Sequence, residues 1–114
     1  MRDFIKIMKA LSDQNRVVII KLLQQRELCV CELRELLGLA QSTVSKHLKI
    51  LEDARLIDYS KDGQWVNYRL ADSEDNPYAA ALLENLKQWL DNDRRVAEAA
   101  SRLPFVDRST LCGR

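Results

Sequence analysis

Gly38-Leu39-Ala40-Gln41-Ser42-Thr43-Val44-Ser45-Lys46-His47-Leu48-Lys49-Ile50-Leu51 is the stretch on which the reading of this chain turns. From Gln41 to Asp53 the spacing predicts a helix, because Val44, Leu48 and Leu51 recur at i, i+4 and i+7. At about 100° per residue those three fall together on one side, and Ser42, Ser45, Lys46 and Lys49 fall on the other. Upstream, Val30 to Leu37 predicts a short helix with Leu33, Leu36 and Leu37 turned inward, and Gly38 ends it. Two helices joined through a glycine turn have the layout of a DNA-reading pair.

The outer face of the later helix has the chemistry for that task. Short hydroxyls donate to or accept from base edges, lysines reach phosphates or guanine, and no acid intervenes before Glu52. Gln41 and Thr43 sit in the first turn, the end that a recognition helix points into the major groove. Taken alone, such a face reads equally well as an ordinary solvated surface; the short helix before it and the hairpin after it decide for DNA. His47 lies at the edge of the apolar stripe and is expected as a packed, hydrogen-bonded residue.

Downstream the period changes from helical to two. Leu56 to Ser60 and Trp65 to Leu70 alternate as strands, and Lys61-Asp62-Gly63-Gln64 supplies a turn. This is a wing, with Lys61 and Gln64 placed to touch backbone or minor groove, or simply to be solvated. Arg69 has the choice of a phosphate or a neighbouring acid. The fold class is therefore mainly α with a small β-hairpin, a winged helix-turn-helix.

The remaining segments are helical. Arg2 to Leu11 is a first helix, and Ser12 and Asp13 supply cap chemistry for a second running to Gln24. Pro77 to Arg102 is expected as one long last helix, with Ala80, Leu83, Leu86, Leu90 and Ala97 along a stripe. That stripe, with Trp89, is expected to form a dimer seam, since a chain of 114 residues buries only a modest core. Residues 1–102 are thus one DNA-binding and dimerisation domain, and 103–114, after Pro104, a flexible tail.

Net charge is only +1, but residues 1–70 carry 12 basic against 9 acidic side chains, and residues 71–114 carry 6 against 8. One half faces phosphates and the other does not. No apolar stretch approaches the roughly 18 residues of a membrane span, and no signal-peptide core is visible, so a cytoplasmic protein without membrane contact is expected. A single histidine, no glycine-rich phosphate loop and no nucleophile motif argue against an enzyme. A winged helix used only for protein interaction is the reading from another class.

Three cysteines, Cys29, Cys31 and Cys112, argue against a disulfide framework in a reducing compartment. Cys29 and Cys31 fall at the predicted start of the third helix, where unpaired N–H groups favour a thiolate. Free cysteine is also a small buried hydrophobe, which is the plainer account of both.

Four segments together resemble the arsenic-repressor (ArsR/SmtB) family of bacterial winged-helix regulators. They are Ala10 to Arg16, Glu27 to Leu33, Gln41 to Leu51 and Gly63 to Leu70, and the likeness runs in order and spacing over residues 4–95. The resemblance implies a homodimer on the first and last helices that represses an operon, on double-stranded operator DNA, until an effector binds. The family's site of histidine and carboxylate ligands on the last helix is missing here, because His47 is the only histidine. Cys29-Val30-Cys31 instead resembles the arsenite- and antimonite-sensing members, and soft As(III) or Sb(III) suits thiolate ligands. Those sensors carry a third cysteine three residues later, where this chain has Arg34. A three-sulfur site therefore needs Cys112 from the same or the other subunit; with two sulfurs the site suits a methylated arsenical such as methylarsenite. Side chains two apart on an intact helix diverge by about 200°, so gripping one atom distorts the helix and re-aims the next. No cofactor is implied for DNA binding itself. A sensor of thiol oxidation, or of another soft metal, on the same fold is the alternative.

Overall fold

The computed structural model describes residues 1–72 and 74–111. Helices α1 (Arg2–Ala10), α2 (Gln14–Leu23), α3 (Val30–Leu37) and α4 (Gln41–Asp53) are followed by strands β1 (Ile57–Asp62) and β2 (Trp65–Leu70). Helices α5 (Pro77–Leu86) and α6 (Arg94–Ser101), a 3₁₀ turn (Leu103–Phe105) and α7 (Arg108–Leu111) complete the chain. Local chemistry explains the starts: Asp13 accepts from the Arg16 N–H to cap α2, and Asn76 accepts from Ala79 ahead of Pro77 to cap α5.

One core joins the helices. Ile7, Ile19, Ile20, Leu22, Leu33, Leu36, Val44, Leu48 and Leu51 are all buried in it, drawn from α1 to α4. Leu56 and Ile57 extend it beneath the hairpin. No helix among the described residues is long and apolar enough to cross a membrane.

The hairpin is tighter than the sequence suggests. Lys61 pairs with Val66 and Asp62 with Trp65, so only Gly63 and Gln64 turn, with Gly63 at φ 64°. Lys61 is thus a strand residue beside the tip. An isolated bridge ties the segment between α2 and α3 to the hairpin. The Leu28 N–H donates to the Tyr68 carbonyl at 3.1 Å, and the Tyr68 N–H returns the bond at 2.8 Å. A bridge one residue long has no period to read.

The expected single helix from Pro77 to Arg102 is corrected to two. Lys21 on α2, only 5% exposed, reaches across and donates to the Leu86 carbonyl at 2.6 Å and to the Asp91 carboxylate at 2.7 Å. It thereby satisfies an orphan carbonyl at the end of α5. Leu90 then takes a left-handed φ of 68°, and Asp93 accepts from Arg95 and Val96 to start α6 afresh. The apolar stripe is split in consequence. Leu83 and Leu86 are buried, whereas Ala80, Leu90 and Ala97 are exposed; α6 instead buries Val96 and Ala99 and packs on α2 and α3. Helix α5 packs on α1, where Phe4 and Tyr78 meet edge to face at 5.5 Å.

Packing continues past residue 102, into the segment expected as a tail. Leu103 and Val106 are buried in the common core, and α7 packs on α3. Cys112 lies outside the described residues.

Candidate nucleic-acid interface and sulfur site

Helix α4 sorts its side chains as its period requires. Val44, Leu48 and Leu51 are buried, while Gln41, Ser42, Thr43, Ser45, Lys46 and Lys49 are all exposed on the opposite side. Its N-cap is Ala40, whose side chain offers no bond, so the first amides of α4 have no side-chain cap. Lys49 lies 3.3 Å from Asp53, an exposed pair one turn on that is easily exchanged for phosphate.

The roll of α4 is set by a residue that the sequence reading left without a role. Arg16 of α2 donates from Nε to the Ala10 carbonyl at 2.7 Å and from Nη2 to the Lys9 carbonyl at 3.2 Å. Its Nη1 lies 3.2 Å from Nδ1 of half-buried His47. Guanidinium has no acceptor, so Nδ1 is the accepting partner in this contact. His47 is therefore a packed strut between α4 and the ends of α1 and α2. No periodicity signals Arg16.

In the wing, Lys61 and Gln64 are exposed next to the Gly63 turn. Arg69 Nε stands 2.7 Å from Asp58 Oδ1 as an ion pair, without the alignment of a hydrogen bond. Of the two roles open to Arg69, the structure displays the acid partner.

The sulfur-bearing residues open α3. Cys29 is the N-cap, in extended conformation at φ −92° and ψ 171°, and Cys31 is in the first helical turn. A capping box closes this start: the Glu32 N–H donates to the Cys29 sulfur, and the Cys29 N–H donates to Glu32 Oε1 at 3.0 Å. Glu32 is 7% exposed and is held in turn by Arg26 Nη2 at 3.0 Å, which also donates to the Val106 carbonyl at 3.2 Å. Glu32 and Arg26 were missed from sequence; the S/T-x-x-E signature of a capping box is masked here because a cysteine holds the cap position.

Two expectations change. Cys29 is buried, and its thiol pKa is raised, first by that burial and then by the Glu32 carboxylate, against the lowering effect of the Glu32 N–H. The helix start thus does not produce a resting thiolate at Cys29. Because Cys29 lies just outside the helix, the 200° divergence of an intact helix does not govern the pair either. What a ligand must disturb is the cap. Cys31 is half-buried and, against the expectation of unbridged cysteines, disulfide-bonded in the structure. Among the described residues no group of three or more His, Cys, Asp or Glu side chains is arranged to hold a metal.

Comparison with known proteins adds to this geometry. Residues 13–59 match the model of the bacterial regulatory protein arsR family. The chain is 44% identical over 77 residues to the arsenical resistance operon repressor of Bacillus subtilis, covering 67% of this chain and 73% of that one. It is 36% identical over 102 residues to the arsenic resistance transcriptional regulator ArsR1 of Pseudomonas putida, covering 84% and 79%. Among solved structures it superposes, with a TM-score of 0.67 and 27% identity over 82% of each chain, on a homodimeric winged helix-turn-helix DNA-binding domain from Mycobacterium bovis.

Proposed function

Because the chain belongs to the arsR family of bacterial regulatory proteins, we propose that it is a homodimeric winged-helix repressor that holds operator DNA until trivalent arsenic or antimony binds cysteine sulfur. It is a regulator, not an enzyme. The observation that carries the sensing half is that Cys29 and Cys31 bracket the first residue of α3, the helix that leads directly into the reading helix. Two relatives named for arsenical resistance support it.

On DNA, Gln41, Ser42 and Thr43 enter the groove from the first turn, Ser45, Lys46 and Lys49 follow along the outer face, and Lys61 and Gln64 reach from the wing. The dimer has candidate surface in Met1, Phe4 and Ile5 of the α1 region and Tyr78 of α5, large apolar side chains left exposed on adjacent helices. A two-fold dimer reads a pseudo-palindromic operator with half-sites about one helical turn apart. Release follows from the cap. A thiophilic ion shared with Cys31 displaces the Cys29 proton and draws the sulfur away from the Glu32 N–H that closes the cap, so the start of α3 loosens and α4 is re-aimed. Coupling of roughly 1–3 kcal/mol between the sites suffices. Cys112 is the third sulfur for arsenite; with two sulfurs the site takes methylarsenite.

The test is fluorescence anisotropy of the chain's own upstream DNA with reduced protein and added arsenite, methylarsenite, antimonite, cadmium or zinc. Arsenite releases the parent, and Cys29→Ser and Cys31→Ser hold on; variants that let go like the parent refute the reading. The disulfide at Cys31 favours a second reading, release by thiol oxidation. In that case peroxide alone frees the DNA and arsenite on reduced protein does not.

A further inference from the structure

The wing and the start of α3 are joined by the last described segment of the chain. Arg108, the first residue of α7, donates from Nη1 to the Asn67 side-chain oxygen at 3.0 Å and from Nη2 to Asp62 at 3.1 Å. Its guanidinium also lies over the Trp65 ring, 4.9 Å from the centroid. One planar fork thus holds three residues of the hairpin from both strands, a task suited to arginine and not to lysine. A two-stranded hairpin is marginal alone, so its attitude depends on what braces it. The Leu28–Tyr68 bridge fixes its base, one residue before Cys29. Two residues before Arg108, the Val106 carbonyl accepts from Arg26, the same guanidinium that grips Glu32 of the cap. Between them Asp107 accepts from the Ser109 N–H and hydroxyl, at 2.9 and 2.7 Å, which locks the turn into α7.

We propose that residues 103–111 form a strap that sets the attitude of the wing, with Arg108 as its positioning residue. Disturbance of the α3 cap then reaches the DNA through the wing as well as through α4. The second half of this rests on the sulfur-site reading given above.

The test uses the full reduced chain carrying Trp89→Phe, which leaves Trp65 as the single tryptophan. Three quantities are followed: Trp65 emission, operator affinity by anisotropy, and arsenite uptake from sulfur–arsenic ultraviolet absorbance. Arsenite shifts Trp65 emission in this chain. Adding Arg108→Gln shifts it without arsenite, abolishes the further response, leaves uptake unchanged and weakens operator binding by roughly fivefold. The salt dependence of binding stays as in the parent, since a brace neutralises no phosphate; a slope smaller by about one would make Arg108 a DNA contact and overturn the positioning role. A chain with Arg108→Gln that takes up arsenite, shifts its emission and releases DNA like the parent also overturns the strap. Should the parent take up no arsenite, the sulfur-site reading fails, and the strap stands or falls on the arsenite-free emission shift and affinity loss. Arg108→Lys, which keeps the charge but not the fork, replaces Arg108→Gln if that chain does not fold, with smaller effects of the same sign.

Discussion

Helix α3 begins with its cap closed on itself, whereas α4, reached through the Gly38 turn, begins with none. At α3 the cap residue is buried, its sulfur and amide are both engaged by Glu32, and Arg26 clamps the carboxylate from outside. At α4 the cap residue is Ala40, exposed and chemically mute, and the first turn displays Gln41, Ser42 and Thr43. Helix starts have the same orphan N–H groups and the same positive dipole end. In one case the protein satisfies them internally through a thiol that a soft ion covets. In the other it leaves them for an outside anion, of which a DNA phosphate is the natural example. On the proposed function, the pair divides one piece of backbone physics between sensing and binding.

The largest effect that separates the two starts comes from beneath α4. Leu48 is 1% exposed, and Leu48→Ala should cost about 3 kcal/mol, seen as a lower urea midpoint at constant slope. At temperatures where the chain stays folded, operator binding should fall steeply while arsenite uptake by the reduced protein persists. Parallel loss of both would mean that the two starts cannot be treated separately.

Next in size is Glu32→Gln, which keeps the reciprocal bonds of the cap but removes the charge. Loss of the Arg26 pair, with Glu32 buried and Arg26 partly exposed, should cost about 1.5 kcal/mol. The same change should bring the Cys29 pKa down, because the carboxylate is one of the groups that raises it. A thiol whose pKa is raised by folding contributes stability that is complete below its ordinary value of 9.0 and is lost as pH rises through the folded value. Alkaline destabilisation should therefore be steeper in the parent than in Cys29→Ala, and thiolate absorbance should appear at lower pH in Glu32→Gln. An unchanged thiolate titration in Glu32→Gln would break the account of the closed cap.

How far these features were legible follows from their range in sequence. The reading helix, its exposed residues and the Gly38 stop come from periods and turn chemistry confined to neighbouring residues, and α3 and α4 fall where Val30–Leu37 and Gln41–Asp53 were expected. The break between α5 and α6 depends on Lys21, which is 65 residues from Leu86, and a lysine in a helix pattern reads as solvated, not as a carbonyl's partner. Leu90 and Ala97 continue the apolar pattern on either side of Asp91-Asn92-Asp93, whose cap chemistry is the local sign of a break that the apolar stripe overrode. The segment from residue 103 on reads as loose in the sequence because its anchors are single residues, Leu103, Val106 and Arg108, gripping elements distant in sequence. Around the sulfurs, the residue types were legible and their state was not, because the burial of Cys29 and the charge of Glu32 are tertiary facts.

The finest test of the contrast is to give α4 the cap it lacks. Ala40→Asp supplies a carboxylate to the first amides of α4 and a negative charge at the positive end of its dipole, which should raise stability by about 1 kcal/mol. The backbone at Ala40 is already extended, φ −67° and ψ 150°, so the new side chain needs no rearrangement to act as a cap. Operator affinity should nevertheless fall, by roughly fivefold, because the amides are occupied and a carboxylate now meets the phosphate backbone. Ala40→Ser separates these causes, since it caps without charge: it should keep much of the stability gain and lose less affinity. Thermal unfolding and anisotropy on the same samples decide the matter. Should the aspartate stabilise the fold and bind the operator as tightly as the parent, the open start of α4 is only a missing cap, and the division of labour between the two helix starts is wrong.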